Sequence, residues 1–228
     1  MVEEAQAEFE DIIAPYTIID DQFGGVVSGC SSIGVWDSAT KTCTLTGNIS
    51  VASTNHGIEI GSDGITLDGA GYTISGGVRD ESCPMSSTYN CGTLYPWLGN
   101  AGVFLENKSN VVIKNLTING FYHGILSIGS PNPGPVITGN TISSPGSYPH
   151  GAAIDVVGGS SAKITNNLIT NSYMGIGTHS GRGNNQCTGN SAYVIQQNTI
   201  NILPEQNKIG IYISWNDFNN RKQGICID

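Results

Sequence analysis

One motif recurs along most of the chain, and it leaves few folds open. His150 to Asn171 reads HGAAIDVVGGSSAKITNNLITN, three short apolar-alternating runs separated by Gly, Ser and Asn. Variants begin at Ala101 (AGVFLENKSNVVIKNLTING), His123 (HGILSIGSPNPGPVITGNTIS) and Met174 (MGIGTHSG, then AYVIQQNTIN), with a divergent copy at His56 (HGIEIGSDGITLDGAGYTISG). Two columns align the copies. One is Gly57, Gly102, Gly124, Gly151, Gly175 and Gly210; the other is Asn115, Asn140, Asn167 and Asn198. From Gly102 onward the glycines lie 22, 27, 24 and 35 residues apart, so the strands are constant and the turns vary. A fixed glycine marks a backbone position that needs positive φ or close approach. A recurrent Asn suits a turn whose side chain bonds its own backbone and the next Asn along. Three strands per repeat, no helical period, and a small apolar face that only stacking can bury describe a parallel β-solenoid.

These repeats resemble the right-handed parallel β-helix of the pectate-lyase-like superfamily. The block GVWDSATKTCTLTGNI with GIEIGSDGITLDGAGYTISG is similar to NosD-type, carbohydrate-binding-and-sugar-hydrolysis repeats. The resemblance covers residues 24–228 and implies an all-β fold with sites on an outer sheet face. It specifies fold better than chemistry.

The 228 residues fit one domain, and 12% charged residues with 31 glycines argue for tight turns over long helices. The net charge of −9 excludes nucleic acid as a partner, because no basic stripe exists to neutralise phosphates. No apolar run approaches the roughly 20 residues of a membrane span. The expected organisation is an N-terminal cap segment over residues 1–22 and a β-helix over 23–228, with a loop insertion at 77–100. In the cap, Val2, Ala5, Phe9, Ile12 and Ile13 fall at helical spacing before Pro15, which suits a helix covering the first rung. The acidic start is unlike a signal peptide, so a secreted form would have lost its leader.

Six cysteines without a C-x-x-C pair point to disulfides in an oxidising compartment. Proximity favours Cys30 with Cys43, Cys83 with Cys91, and Cys187 with Cys226. Trp36 sits in the first loop, where packing on the disulfide is favoured over stacking on a sugar. The loop VRDESCPMSSTYNCGTLYPWLGN carries Arg79, Tyr95 and Trp97, and long loops on rigid scaffolds hold binding residues. Sequons fall at Asn48, Asn107 and Asn115. Asn48 and Asn107 are the expected glycosylation sites, and the Asn column places Asn115 in the interior.

Counting from the Gly column, Ile58, Val103, Ile125, Ala152, Ile176 and Ile211 should face inward. Glu59, Phe104, Leu126, Ala153, Gly177 and Tyr212 should face outward, followed by Gly61, Glu106, Ile128, Asp155, His179 and Ser214. On that register Asp155 neighbours His179 on adjacent rungs, and Glu106 lies within about 10 Å. Glu106, Asp155 and His179 are thus the catalytic candidates, with Asp155 orienting His179 as base. Arg182 would hold a substrate carboxylate, and Tyr212 shares the face. The resemblance weakens this trio, because the Asp pair, Gly-His-Gly and Arg-x-Lys set of polygalacturonases, the acidic cluster of calcium-dependent lyases and the Asp-Pro-His of epimerases are all absent. His56, His123 and His150 share a column beside the glycines, a spacing open to a shared metal but better suited to structural histidines.

Three functions remain open: a secreted structural or carbohydrate-binding module, a polysaccharide lyase, epimerase or hydrolase on an acidic glycan, and a periplasmic metal-handling protein. The first is favoured, with no cofactor implied. Its partners would be a polysaccharide or cell-surface glycan. GIYISWNDFNNRKQGICID ends without a covering segment, so end-to-end stacking into a homopolymer is also expected.

Overall fold

A computed structural model describes residues 16–20, 29–51, 55–77, 99–143, 151–158, 161–179, 193–202, 209–214 and 225–227. The chain enters through β1 (Tyr16–Ile18), passes a single-turn helix α1 (Cys30–Ile33) into the hairpin β2 (Gly34–Asp37) and β3 (Thr42–Leu45), and continues into β4 (Ile49–Ser50). A three-strand cycle then repeats. It runs β5 (Ile58–Ile60), β6 (Thr66–Asp68), β7 (Thr73–Ser75); β8 (Ala101–Glu106), β9 (Val112–Lys114), β10 (Thr117–Asn119); and β11 (His123–Ile128), β12 (Val136–Thr138), β13 (Thr141–Ser143). Two more cycles follow as β14 (Ala152–Val157), β15 (Ala162–Thr165), β16 (Leu168–Thr170); and β17 (Met174–His179), β18 (Tyr193–Gln196), β19 (Thr199–Asn201). The last described strands are β20 (Ile209–Ser214) and β21 (Ile225–Ile227).

Apart from the hairpin β2–β3, which is antiparallel, each described strand pairs in parallel with its counterpart one turn on, which builds three sheets: β1-β5-β8-β11-β14-β17-β20 (sheet A), β2-β3-β6-β9-β12-β15-β18-β21 (sheet B) and β4-β7-β10-β13-β16-β19 (sheet C). The fold is the expected parallel β-solenoid. The core is a stack of branched side chains in register. Ile58, Val103, Ile125, Ile154 and Ile176 line sheet A; Leu67, Ile113, Ile137 and Ile164 line sheet B; Ile74, Ile118, Ile142 and Ile169 line sheet C, all fully buried. Each such burial stabilises by about 1.5–3 kcal/mol against exposure.

The glycine column sits at the corner where sheet C turns into sheet A. A Cβ on Gly102 would stand 2.4 Å from Ile118 Cγ2, and one on Gly124 would stand 2.4 Å from Ile142 Cγ2 and 2.5 Å from the carbonyl oxygen of Ala153. The corner therefore demands a small residue, because the inward Ile of the sheet C strand of the same turn fills it. Its occupant in the β14 rung is Ala153 and not Gly151, since Ile154 pairs with Ile125 and Ile176. That two-residue difference from the sequence register moves Ile154 inward in place of Ala152, and moves Asp155 to a new column.

The asparagine column holds from Asn140 onward. Asn140 Oδ1 accepts from the Leu116 N–H at 3.1 Å, Asn167 Oδ1 from the Asn140 N–H at 3.0 Å, and Asn198 Oδ1 from the Asn167 N–H at 3.0 Å. Their side-chain amides also link directly, Asn140 to Asn167 at 3.0 Å and Asn167 to Asn198 at 2.9 Å. Asn115 is not a member. Leu116 takes its place, because Thr117-Ile118 pairs with Thr141-Ile142. Asn115 is instead exposed at a turn with φ 56°.

At the N-terminal end, β2 pairs antiparallel with β3, with Trp36 opposite Cys43, and the Cys30–Cys43 disulfide anchors α1. Cys30 and Ile33 are buried in the main core, and Trp36 packs against it. β1 already belongs to sheet A, so strand pairing begins by Tyr16, before the expected boundary at 23. The helical cap expected from Val2 to Ile13 and the insertion carrying Cys83 and Cys91 lie outside the described residues, as does Cys187. Cys226 is described only by its backbone, paired with Val194.

Candidate functional site on the outer face of sheet A

Strand alternation gives sheet A an outer column that reads Glu59, Phe104, Leu126, Asp155, Gly177 and Tyr212 along the solenoid. Beside it, at the corner, run Ala101, His123, Ala152, Met174 and Ile209. His56 reaches the same corner one rung earlier, where its Nδ1 accepts from the Ala101 N–H at 3.0 Å.

A histidine at this corner projects onto the outer residue of the following rung. The His56 ring stacks on Phe104 with centroids 4.4 Å apart and planes 8° from parallel. Burial pulls its imidazole down to about 4, so it is neutral near pH 7, which suits an Nδ1 that accepts a backbone hydrogen bond. Phe104 remains half-buried, with one part of the ring open to solvent.

Two rungs on, the geometry repeats with different chemistry. His123 Nδ1 lies 3.4 Å from the Ala152 N–H and 3.7 Å from Asp155 Oδ2, and Tyr122 meets the imidazole edge-on at 4.9 Å. Asp155 is 3% exposed and His123 is 1% exposed. A separation of 3.7 Å is too long for a hydrogen bond, so burial dominates and lifts the Asp155 carboxyl to about 7 against the opposing pull of the Val156 N–H. Tyr193 is pushed up to about 12, first by burial and then by the Asp155 charge. Gly177 makes room for the carboxyl, since a Cβ there would lie 2.8 Å from Asp155 Oδ1 and 3.0 Å from Met174 Sδ.

The catalytic trio expected from sequence does not converge. Asp155 pairs laterally with Gly177, and His179 follows Val157 in the neighbouring column. Glu106 is exposed and shares that column with Ile128, Val157 and His179, three rungs from His179, or about 14 Å. The backbone register thus sets Asp155 and His179 in different columns, where the sequence register puts them in one. Tyr212 joins the outer column by backbone register. Arg79, Tyr95, Trp97 and Arg182 lie outside the described residues, as does His150, whose expected column place is filled by Ala152. Among the described residues no three His, Cys, Asp or Glu side chains gather where a metal ion would sit.

What sequence reasoning missed is the diagonal step from corner to outer column, which joins His56 to Phe104 and His123 to Asp155. The signal was present. Aligning the β14 rung on its inward Ile154, and not on Gly151, sets Asp155 opposite Leu126 and diagonal to His123.

The family model for a right handed beta helix region matches residues 24–192 and again residues 85–228. No curated protein and no solved structure matches the chain.

Proposed function

The chain belongs to the right handed beta helix region family, and from that premise we propose that it is an extracellular, disulfide-stapled module that binds carbohydrate on the outer face of sheet A. The observation that carries this reading is Phe104, a half-buried ring held by the His56 ring stacked on it from the preceding rung, with Glu59 beside it in the same column and Glu106 two residues along the same strand face. Sugars are held by such pairs: C–H faces pack on an aromatic ring while hydroxyls donate to carboxylates. A ring fixed by a neutral imidazole loses little freedom on binding.

A disulfide fits an oxidising compartment. Among the described residues no helix is long and apolar enough to cross a membrane. The lyase, epimerase or hydrolase reading depended on Asp155 working with His179, and their columns differ.

Affinity electrophoresis through gels containing neutral or acidic polysaccharides tests the proposal. At least one polysaccharide should retard the protein, and Phe104→Ala should weaken that retardation about tenfold, the scale of one well-placed aromatic contact. Migration unaffected by every polysaccharide, or a Phe104→Ala protein indistinguishable from wild type, would sink it.

A further inference from the structure

We propose that Asn115 carries an N-linked glycan, which rests on the extracellular half of the reading above. The sequon Asn115-Leu116-Thr117 lies at the corner between sheets B and C. Asn115 is exposed, and its left-handed φ of 56° turns the chain out of β9. The amide ladder that buries Asn140 and Asn167 runs past it through Leu116, so its carboxamide is not committed to the interior.

The carboxamide has one bond to give. Nδ2 donates to Asp68 Oδ1 at 3.0 Å, on the preceding rung, which engages one of its two N–H groups. Space lies on the same side. Gly71, whose N–H donates to the Asn115 carbonyl at 2.9 Å, has no atom within 4 Å of where a Cβ would stand. Tyr72 follows it at 37% exposure and offers a ring against which a first sugar can pack. On the far side, Asn115 Oδ1 would lie 3.2 Å from a Cβ on Gly139, so the carboxamide is oriented with its oxygen toward the next rung and its nitrogen toward the open one.

In the transfer, Asn115 Nδ2 attacks the anomeric carbon of a lipid-linked oligosaccharide diphosphate. The N–C bond forms as the C–O bond to the diphosphate breaks, the electron pair leaves with the lipid diphosphate, and one Nδ2 proton passes to a base. The second N–H stays on Asp68. Asn48 sits on the same corner two rungs earlier, by the register of Ile49 with Ile74 and of Thr73 with Thr117. Glycans at both positions would screen one edge of the solenoid and stand on a different corner from the outer face of sheet A that carries Phe104.

The full chain is produced behind a cleavable leader in a host that makes N-glycans, and protein from medium and cells is treated with peptide N-glycosidase in heavy-oxygen water. Peptide mass spectrometry should find the labelled Asp at position 115, and Thr117→Val should abolish that label alone while circular dichroism stays unchanged. An unlabelled Asn115 overturns the inference, whatever Asn48 and Asn107 show. Failure to reach the medium with the Cys30–Cys43 bond formed counts against the extracellular reading, and the label at 115 is still read from the retained protein.

Discussion

Asp155 and Asn167 are both polar and almost wholly buried, and the fold treats them in opposite ways. Asn167 accepts from the Asn140 N–H and side-chain amide, and donates to the carbonyls of Ile137 and Thr165 and to Asn198 Oδ1. Asn167→Ala would leave a buried N–H and a buried carbonyl without partners, so a loss of about 3 kcal/mol is expected from the urea midpoint. Asn115→Gly keeps the left-handed turn and loses only an exposed bond, and should cost less than about 1 kcal/mol. Equal losses would mean that both asparagines belong to one ladder. Asp155 is held by burial, with His123 against it and Tyr193 near enough to feel its charge. Its folded carboxyl, at about 7 against an ordinary 3.8, binds a proton more tightly than the unfolded one. Stability from this group is therefore complete below pH 4 and falls as pH climbs from about 4 to 7, by on the order of a few kcal/mol, before levelling. Asp155→Asn removes the charge at every pH, so its unfolding temperature should exceed that of the wild type at pH 8, with the gap closing toward pH 4. A variant with the same pH slope as the wild type would show that the carboxyl is charged in the fold.

At the level of strands and corners, steric demand explains which features of the fold are visible in the sequence. The inward Ile of β13, β16 and β19 stands two residues after an Asn, at Ile142, Ile169 and Ile200, and the alternation around it makes the three-sheet solenoid legible. The corner column is harder, because the packing there requires a small residue and the chain satisfies it with Ala153 once. Gly151, two residues upstream, is the more conspicuous glycine, so the eye takes it and shifts Asp155 by one column. Asn115 misleads in the same way: Thr-Ile at 73, 117, 141 and 199 fixes the rungs, and by that standard Asn115 lies one residue too early. Gly124→Ala tests the corner directly. Its Cβ would meet a backbone carbonyl at 2.5 Å as well as Ile142, neither of which can retreat without disturbing a rung, so about 3 kcal/mol should be lost. Ala153→Gly, which only loosens the chain, should cost about 1 kcal/mol. The reverse order of these two would show that close approach does not govern the column.

Across the whole molecule, the ends decide whether the solenoid stays single. Coils that stack indefinitely need each sheet to continue in parallel, yet among the described residues sheet B ends at β2, which runs antiparallel to β3. A second copy adding its β21 beside β2 would keep its own coil direction only by opposing β2, so the three-sheet register could not pass from one molecule to the next. The closure is held by α1, whose Cys30 and Ile33 are buried in the core and tied to β3 through Cys43. We therefore propose that β2 opposes, at this end, the end-to-end homopolymer that the repeats invite. Light scattering of the protein stripped of glycans should return a mass near 23.9 kDa over a hundredfold range of concentration. Replacing Cys30 and Cys43 by Ser opens a ring whose ends lie 13 residues apart, which should cost about 3 kcal/mol. It should also let α1 and β2 detach, baring the edge of β3 to a second copy. Concentration-dependent growth of the double variant, with the wild type constant, would identify the stapled hairpin as a stop. Rods formed by the wild type itself would show that β2 can be displaced or bypassed and that assembly belongs to the function.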